Sequence, residues 1–127
     1  MSVLLASHIN AVLTEAVSEE VGGRIYLEGA YNDVEMPYIV YDYTVSGSDA
    51  TKDILRRDTC EVNVSIYDRD GVTSLELAED VRSAFMAHAT ADYTAYSVTD
   101  TAFDTYAGQL VEGIYIRTLR FTIKTNK

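Results

Sequence analysis

Residues 57–67, RDTCEVNVSIY, constrain this chain more than any other stretch. Cys60, Val62, Val64 and Ile66 fall at every second position, with Thr59, Glu61, Asn63 and Ser65 between them. A strand turns successive side chains to opposite faces, so this alternation describes a strand with one buried and one wet face. A parallel sheet covered on both sides would need a near-continuous apolar run instead. The stretch therefore predicts an antiparallel sheet with packing on one face only.

The rest of the chain supplies partners for that strand. Residues 37–46 alternate in the same way, with Ile39, Tyr41, Tyr43 and Val45 on one face and Asp42, Thr44 and Ser46 on the other. Pro37 stands at the start of this run, where a missing backbone donor is tolerated. A short strand is expected at 24–27. Residues 28–36 read as a loop carrying Gly29, Asn32 and Asp33. Residues 93–106, enriched in Thr, Tyr and Val, and residues 114–125 read as the two arms of a long terminal hairpin. In its second arm the apolar phase moves from Ile114 and Ile116 to Leu119, Phe121 and Ile123, which predicts a bulge near Arg117 and Thr118.

Two helices complete the order. Residues 2–20 place Leu5, Ile9, Val12, Leu13 and Ala16 on one helical face, and Gly22 and Gly23 stop the helix. After a turn at 68–71, residues 73–88 carry the stripe Leu77, Ala78, Val81, Ala84 and Phe85. Thr73 and Glu76 are spaced as a capping box. The expected fold is α+β: a mostly antiparallel four- to five-stranded sheet with two helices packed on one face. No linker composition or repeat divides the chain, so residues 1–127 read as a single domain.

Charge and residue inventory remove most function classes. With 20 acidic and 10 basic residues, the net charge of -10 opposes binding to nucleic acid or to an anionic membrane surface. The amphipathic start is neither a signal peptide nor a membrane span, and a cytoplasmic protein is expected. One cysteine, Cys60, permits no disulfide within the chain. Cys60 falls on the buried strand face and reads as an inert core thiol. His8 flanks the first helix stripe and His88 ends the second helix, positions that suit structural roles. Two His and one Cys cannot build a structural zinc site. DRDG at 68–71 would place Ile66 and Leu77 at the carboxylate positions of a calcium loop, so it reads as a turn. No phosphate-binding glycine loop is present and no carboxylate pair sits in an apolar setting. The expectation is a non-enzyme without cofactor or metal.

Two features remain. Ten tyrosines include Tyr38, Tyr41 and Tyr43 on one predicted strand, and Tyr93, Tyr96, Tyr106 and Tyr115 on the hairpin. Tyrosine is enriched both in strands and at protein interfaces. Residues 47–56, GSDATKDILR, are too long for a tight turn and read as a projecting loop or strand extension that reaches a neighbour.

Several stretches together resemble the small tail terminator (tail completion, or head–tail joining) proteins of long-tailed bacteriophages. VGGRIY at 21–26 follows the first helix and PYIVY at 37–41 opens the second strand. CEVNVSIY at 60–67 leads into the helix 75–85, and the closing strand 115–123 completes the pattern. The resemblance covers most of the chain and rests on order and spacing. It implies a hexameric ring that caps the tail tube and joins it to the head connector, in the virion, after assembly in the host cytoplasm. The partners would be other copies of the chain, tube proteins and connector proteins. DNA would pass through an acidic lumen without specific binding, and no membrane is involved. Asp49, Lys52, Asp53, Ile54, Leu55, Arg56, Arg57 and Tyr38 are the candidate contact residues. Two alternatives stand beside this reading: another neck or tail ring subunit, and an acidic DNA-mimic inhibitor, which would need its carboxylates arrayed on one face.

Overall fold

The computed structural model describes residues 5–30, 34–47 and 57–126, with Gly47 and Arg57 described at the backbone alone. Helix α1 spans Leu5–Val17, and strands β1 (Ile25–Leu27), β2 (Tyr38–Gly47) and β3 (Arg57–Asp68) follow. Helix α2 (Gly71–Ala87) leads to β4 (Ala91–Asp92), β5 (Ser97–Val111) and β6 (Ile114–Asn126). One six-stranded sheet runs in the order β1-β2-β3-β6-β5-β4.

The alternation of 57–67 is realised as predicted. Cys60, Val62, Val64 and Ile66 are fully buried beneath the helices. Register carries that face across the sheet: Val64 lies opposite Tyr41 and Leu119, and Val62 lies opposite Tyr43 and Phe121. From the helices, Leu5, Ile9, Leu13, Leu77, Val81 and Phe85 join the same core. Phe121 sits near its centre, stacked on Phe85 at 4.5 Å and meeting Phe103 edge-on at 5.6 Å. Both helices lie on one face, as expected.

The sheet departs from expectation in strand number and direction. It holds six strands rather than four or five, because Ala91–Asp92 add a two-residue edge against β5. It is mixed, because β1 pairs parallel to β2. Periodicity carries no information about strand direction.

Three local expectations are corrected. The hairpin's first arm runs Ser97–Val111 rather than 93–106. Tyr93 and Tyr96 instead close a turn, with Tyr93 N–H donating to the Tyr96 carbonyl at 2.9 Å. The irregularities fall on β5, at Val98/Asp100 and Phe103/Thr105, and not near Arg117. Pairing of β6 with β3 is unbroken from Asn126 to Tyr115. Arg117 therefore stays on the helix side, where its Nε donates to Ser74 Oγ at 3.0 Å. Finally, the α2 cap is Asp70, whose carboxylate accepts from Thr73 N–H at 2.9 Å. The capping box placed at Thr73 begins one turn too late.

Helix α1 ends as the glycines predict. Gly22 and Gly23 take φ of +59° and +74°, and Gly23 N–H donates to the Ser18 carbonyl at 2.9 Å. The helix proper stops at Val17, with a turn over the following residues.

Candidate assembly surfaces

The residues with catalytic chemistry are used to hold the fold. His8 is buried in α1, and its Nδ1 lies 2.7 Å from the Tyr93 hydroxyl. Burial, then the neighbouring His88, holds its pKa below the usual imidazole value. His88 caps α2, its N–H donating to the Ala84 carbonyl at 3.0 Å, with Nε2 3.3 Å from Glu15 on α1. The two histidines thus tie α1 to the 93–96 turn and to the end of α2. Cys60 is buried on β3. Among the described residues, no group of three or more His, Cys, Asp or Glu side chains is gathered that could hold a metal ion. No helix among them is long and apolar enough to cross a membrane.

Tyr38 is the candidate contact residue that the structure fully describes. It opens β2, half-buried, on the sheet face away from the helices. Its ring stacks on Tyr67 at 4.8 Å with 9° between planes, and Tyr26 meets it edge-on at 6.3 Å. Tyr67 lies opposite Ile116, so an aromatic and apolar row crosses β1, β2, β3 and β6 at one end of the open face. Burial, then the adjacent Tyr67, raises the Tyr38 phenol above its usual pKa. Tyr67 and Tyr26 escaped the sequence reading, although register follows once β2 and β3 are aligned on their apolar positions.

Asp49, Lys52, Asp53, Ile54, Leu55 and Arg56 lie outside the described residues. Arg57 opens β3 opposite Asn126, and Gly47 pairs with Asp58. Gly47 and Arg57 therefore stand at one end of the β2–β3 hairpin, while Tyr38 pairs with Tyr67 at the other. At about 3.3 Å per residue, the nine-residue step from Tyr38 to Gly47 separates them by roughly 30 Å. Of the candidate residues, the described ones, Tyr38 and the backbone of Arg57, thus stand at opposite ends of the hairpin.

Charge separates by layer. Exposed carboxylates on the helix layer come from Glu15, Glu19, Glu20, Glu76, Glu79 and Asp80, with Arg82 among them. The open sheet face is mixed. Asp42 accepts from Asn63 at 3.0 Å, and Asn63 in turn accepts from Arg120 Nε at 3.0 Å. Thr122 donates to Asp104 at 2.5 Å. Both helices turn their polar faces outward, which gives the helix layer these six exposed carboxylates, while Asp42 and Glu61 are exposed on the open sheet face.

The β5–β6 hairpin projects beyond the core, and its tip turns through Glu112 and Gly113, both at positive φ. Arg117 braces its root against α2: beyond Ser74, it donates to the Tyr106 hydroxyl at 3.1 Å and to the Gly71 carbonyl at 3.4 Å. A groove of about 280 Å³ opens between α2 and β5, lined by Leu75, Arg82, Phe103 and Tyr106.

No family model matches the chain, and no curated protein matches it. Solved structures do match in fold. One is a chain from the virion of a native gene transfer agent particle, with a TM-score of 0.74 at 13% identity over 98% of both chains. A second matches with a TM-score of 0.52 at 16% identity, covering 93% of this chain and 94% of the other. At these identities the likeness establishes a shared fold along nearly the whole chain.

Proposed function

We propose that this chain is a structural subunit of a tailed, phage-like particle. It forms a hexameric ring that caps the tail tube and joins it to the head connector, and it is not an enzyme. The observation that carries this reading is the fold likeness to a gene transfer agent virion chain, which spans 98% of each chain at a TM-score of 0.74. The sequence resemblance to tail terminators points the same way on independent grounds.

On this reading the partners are neighbouring copies, tube proteins and connector proteins. The protein is made in the host cytoplasm and ends in the neck of the virion. Arg57 and Tyr38 lie at opposite ends of the β2–β3 hairpin. They serve two contacts: the loop reaches one neighbour and the tyrosine row meets another. The acidic helix layer suits a wall that DNA passes without adhering, since like charges repel. The same six carboxylates favour one second reading, an acidic protein that occupies the nucleic-acid site of a basic enzyme. Such an inhibitor would bind that enzyme without any virion partner.

Particles assembled without this chain test the proposal. Electron microscopy should show filled heads and tails that remain separate, and added purified protein should restore joined particles. Joined particles at normal yield without the chain would overturn the reading.

A further inference from the structure

We propose that, in the free chain, residues 105–111 of β5 pair antiparallel with the same residues of a second copy, about a two-fold axis at Gly108. This contact goes beyond the ring reading and does not depend on it. β4 pairs with β5 only at Ser97 and Val98, so among the described residues no strand covers the outer side of 105–111. An uncovered edge presents a row of backbone donors and acceptors, and folded proteins blunt such edges with charge, proline or bulges. The first part of β5 has these devices, with irregularities at Val98/Asp100 and Phe103/Thr105 and acids at Asp100 and Asp104. The later part has none. TYAGQLV at 105–111 carries no charge and no proline, and its register with β6 is unbroken. It also leaves Tyr106, Leu110 and Val111 exposed at 43%, 58% and 44%.

The turn decides which backbone groups this edge offers. Glu112 and Gly113, both at positive φ, form a two-residue turn, so Val111 and Ile114 close the hairpin and exchange both backbone hydrogen bonds. Such pairs alternate along a strand, so Gln109, Ala107 and Thr105 also turn their N–H and C=O toward β6. Leu110, Gly108 and Tyr106 turn theirs outward. Pairing about Gly108 sets Gly108 against its own copy and Tyr106 against the second copy's Leu110, so each of these outward donors meets an outward acceptor. The side chains match as well. Tyr106 and Leu110 lie opposite Leu119 and Tyr115, on the helix side of the sheet. There each Tyr106 receives a Leu110 beside the hollow of about 280 Å³ lined by Leu75, Phe103 and Tyr106. On the open side Ala107 faces Gln109, and the exposed Val111 faces Thr105, a pair of β-branched residues.

The occupant is a second copy because the segment is its own complement. A two-fold contact matches residue i to j and j to i, and 105–111 meets that condition at every pair. Charge favours the same occupant. At a net charge of -10, copies of this chain repel one another, and 105–111 is an uncharged stretch of surface across which two can approach. Acids meet only at the two ends, where Asp104 comes beside the second copy's Glu112. A contact of this kind closes on itself as a dimer, whereas a ring needs contacts between unlike surfaces.

The test is oxidation of the single variants Ala107→Cys and Gln109→Cys, mixed as purified full-length proteins, the buried Cys60 remaining in place. Opposed side chains stand about 4.5–5.5 Å apart at Cβ, and closer in a non-hydrogen-bonded pair such as this, whereas diagonal neighbours stand about 7–8 Å apart, too far for a disulfide. The mixture should give a reducible dimer, and each variant alone should stay monomeric on a non-reducing gel. Sedimentation of the parent should show a dimer that grows with concentration. Leu110→Asp, which sets an acid against Tyr106, should remove that dimer while leaving the circular dichroism of the parent. Glu112→Lys, which turns repulsion at the ends into attraction toward Asp104, should raise the dimer share more than Glu20→Lys, the same change of charge on the helix layer. Dimers from either cysteine variant alone, with none added on mixing, would overturn the pairing about Gly108. So would a parent that stays monomeric throughout, or a Leu110→Asp variant that associates as the parent does. No particle enters this test, so its failure leaves the ring reading standing, and failure of the ring reading leaves the pairing still decided.

Discussion

Replacing Phe121 by alanine probes the part of the structure on which every surface depends. The residue is fully buried between α2 and the sheet, with rings on two sides: Phe85 stacked at 4.5 Å and Phe103 edge-on at 5.6 Å. Truncating a buried phenylalanine costs about 3–5 kcal/mol, from lost transfer energy and the cavity left behind. Each aromatic pair adds about 0.5–1.5 kcal/mol beyond its area, so the upper half of that range is expected. A domain of this size has about 5–15 kcal/mol in all, so the variant sits close to unfolding. Near the melting point, about 1 kcal/mol moves Tm by ~3–6 °C, giving a fall of roughly 12–30 °C. Phe103→Ala is the internal control. Phe103 is half-buried on β5 beneath Arg82, whose guanidinium carbon lies 5.1 Å from the ring centre, so its loss should cost about 1–2 kcal/mol. Urea unfolding followed by circular dichroism measures both. If Phe103→Ala costs as much as Phe121→Ala, or Phe121→Ala melts as the parent does, the core is misplaced.

Asp70→Ala should lower the urea midpoint, since it removes the α2 cap, whereas Thr73→Ala should lower it clearly less. His8 gives a pH signature. Burial and His88 depress its folded pKa, so between 6.5 and that lower value the unfolded chain binds a proton that the folded chain refuses. Stability from this site is full above 6.5 and lost as pH falls through the window. The groups facing it are the Tyr93 hydroxyl and His88, the latter beside Glu15. The urea midpoint should therefore fall more between pH 7.5 and 5.5 in the parent than in His8→Phe, and equal falls would refute the assignment. Arg56→Glu with Arg57→Glu should weaken ring assembly without lowering Tm. Unchanged oligomers by light scattering would take the 47–57 loop out of the interface.

Much of the fold is written in local pattern. The alternation at 57–67 and the Leu5–Ile9–Leu13 stripe each state which face is buried, and the structure obeys them. What stayed hidden depends on partners remote in sequence. Tyr93 and Tyr96 have strand-forming side chains, yet they pack as a turn beside His8, a contact spanning 85 residues. Ala107, Gly108 and Gln109 look like poor strand formers, but β6 pairs with them directly. Arg117 broke the apolar phase of β6 without breaking the strand, because Ser74 and Gly71 receive its guanidinium on the helix side. The parallel direction of β1 and the two-residue β4 have no periodic signal at all. The candidate surfaces were less legible still. A catalytic site announces itself through residue chemistry, whereas a strand edge is defined by where its neighbours stop. Sequence shows that 105–111 carries no charge; only the sheet shows that nothing among the described residues pairs with its outer side.

A density map of the intact particle's neck, fine enough to trace strands, tests the central claim most directly. This six-stranded, two-helix fold should appear there as a ring between the head connector and the tail tube. The fold found along the tail, at its tip or in the capsid, or missing from the particle altogether, would contradict it.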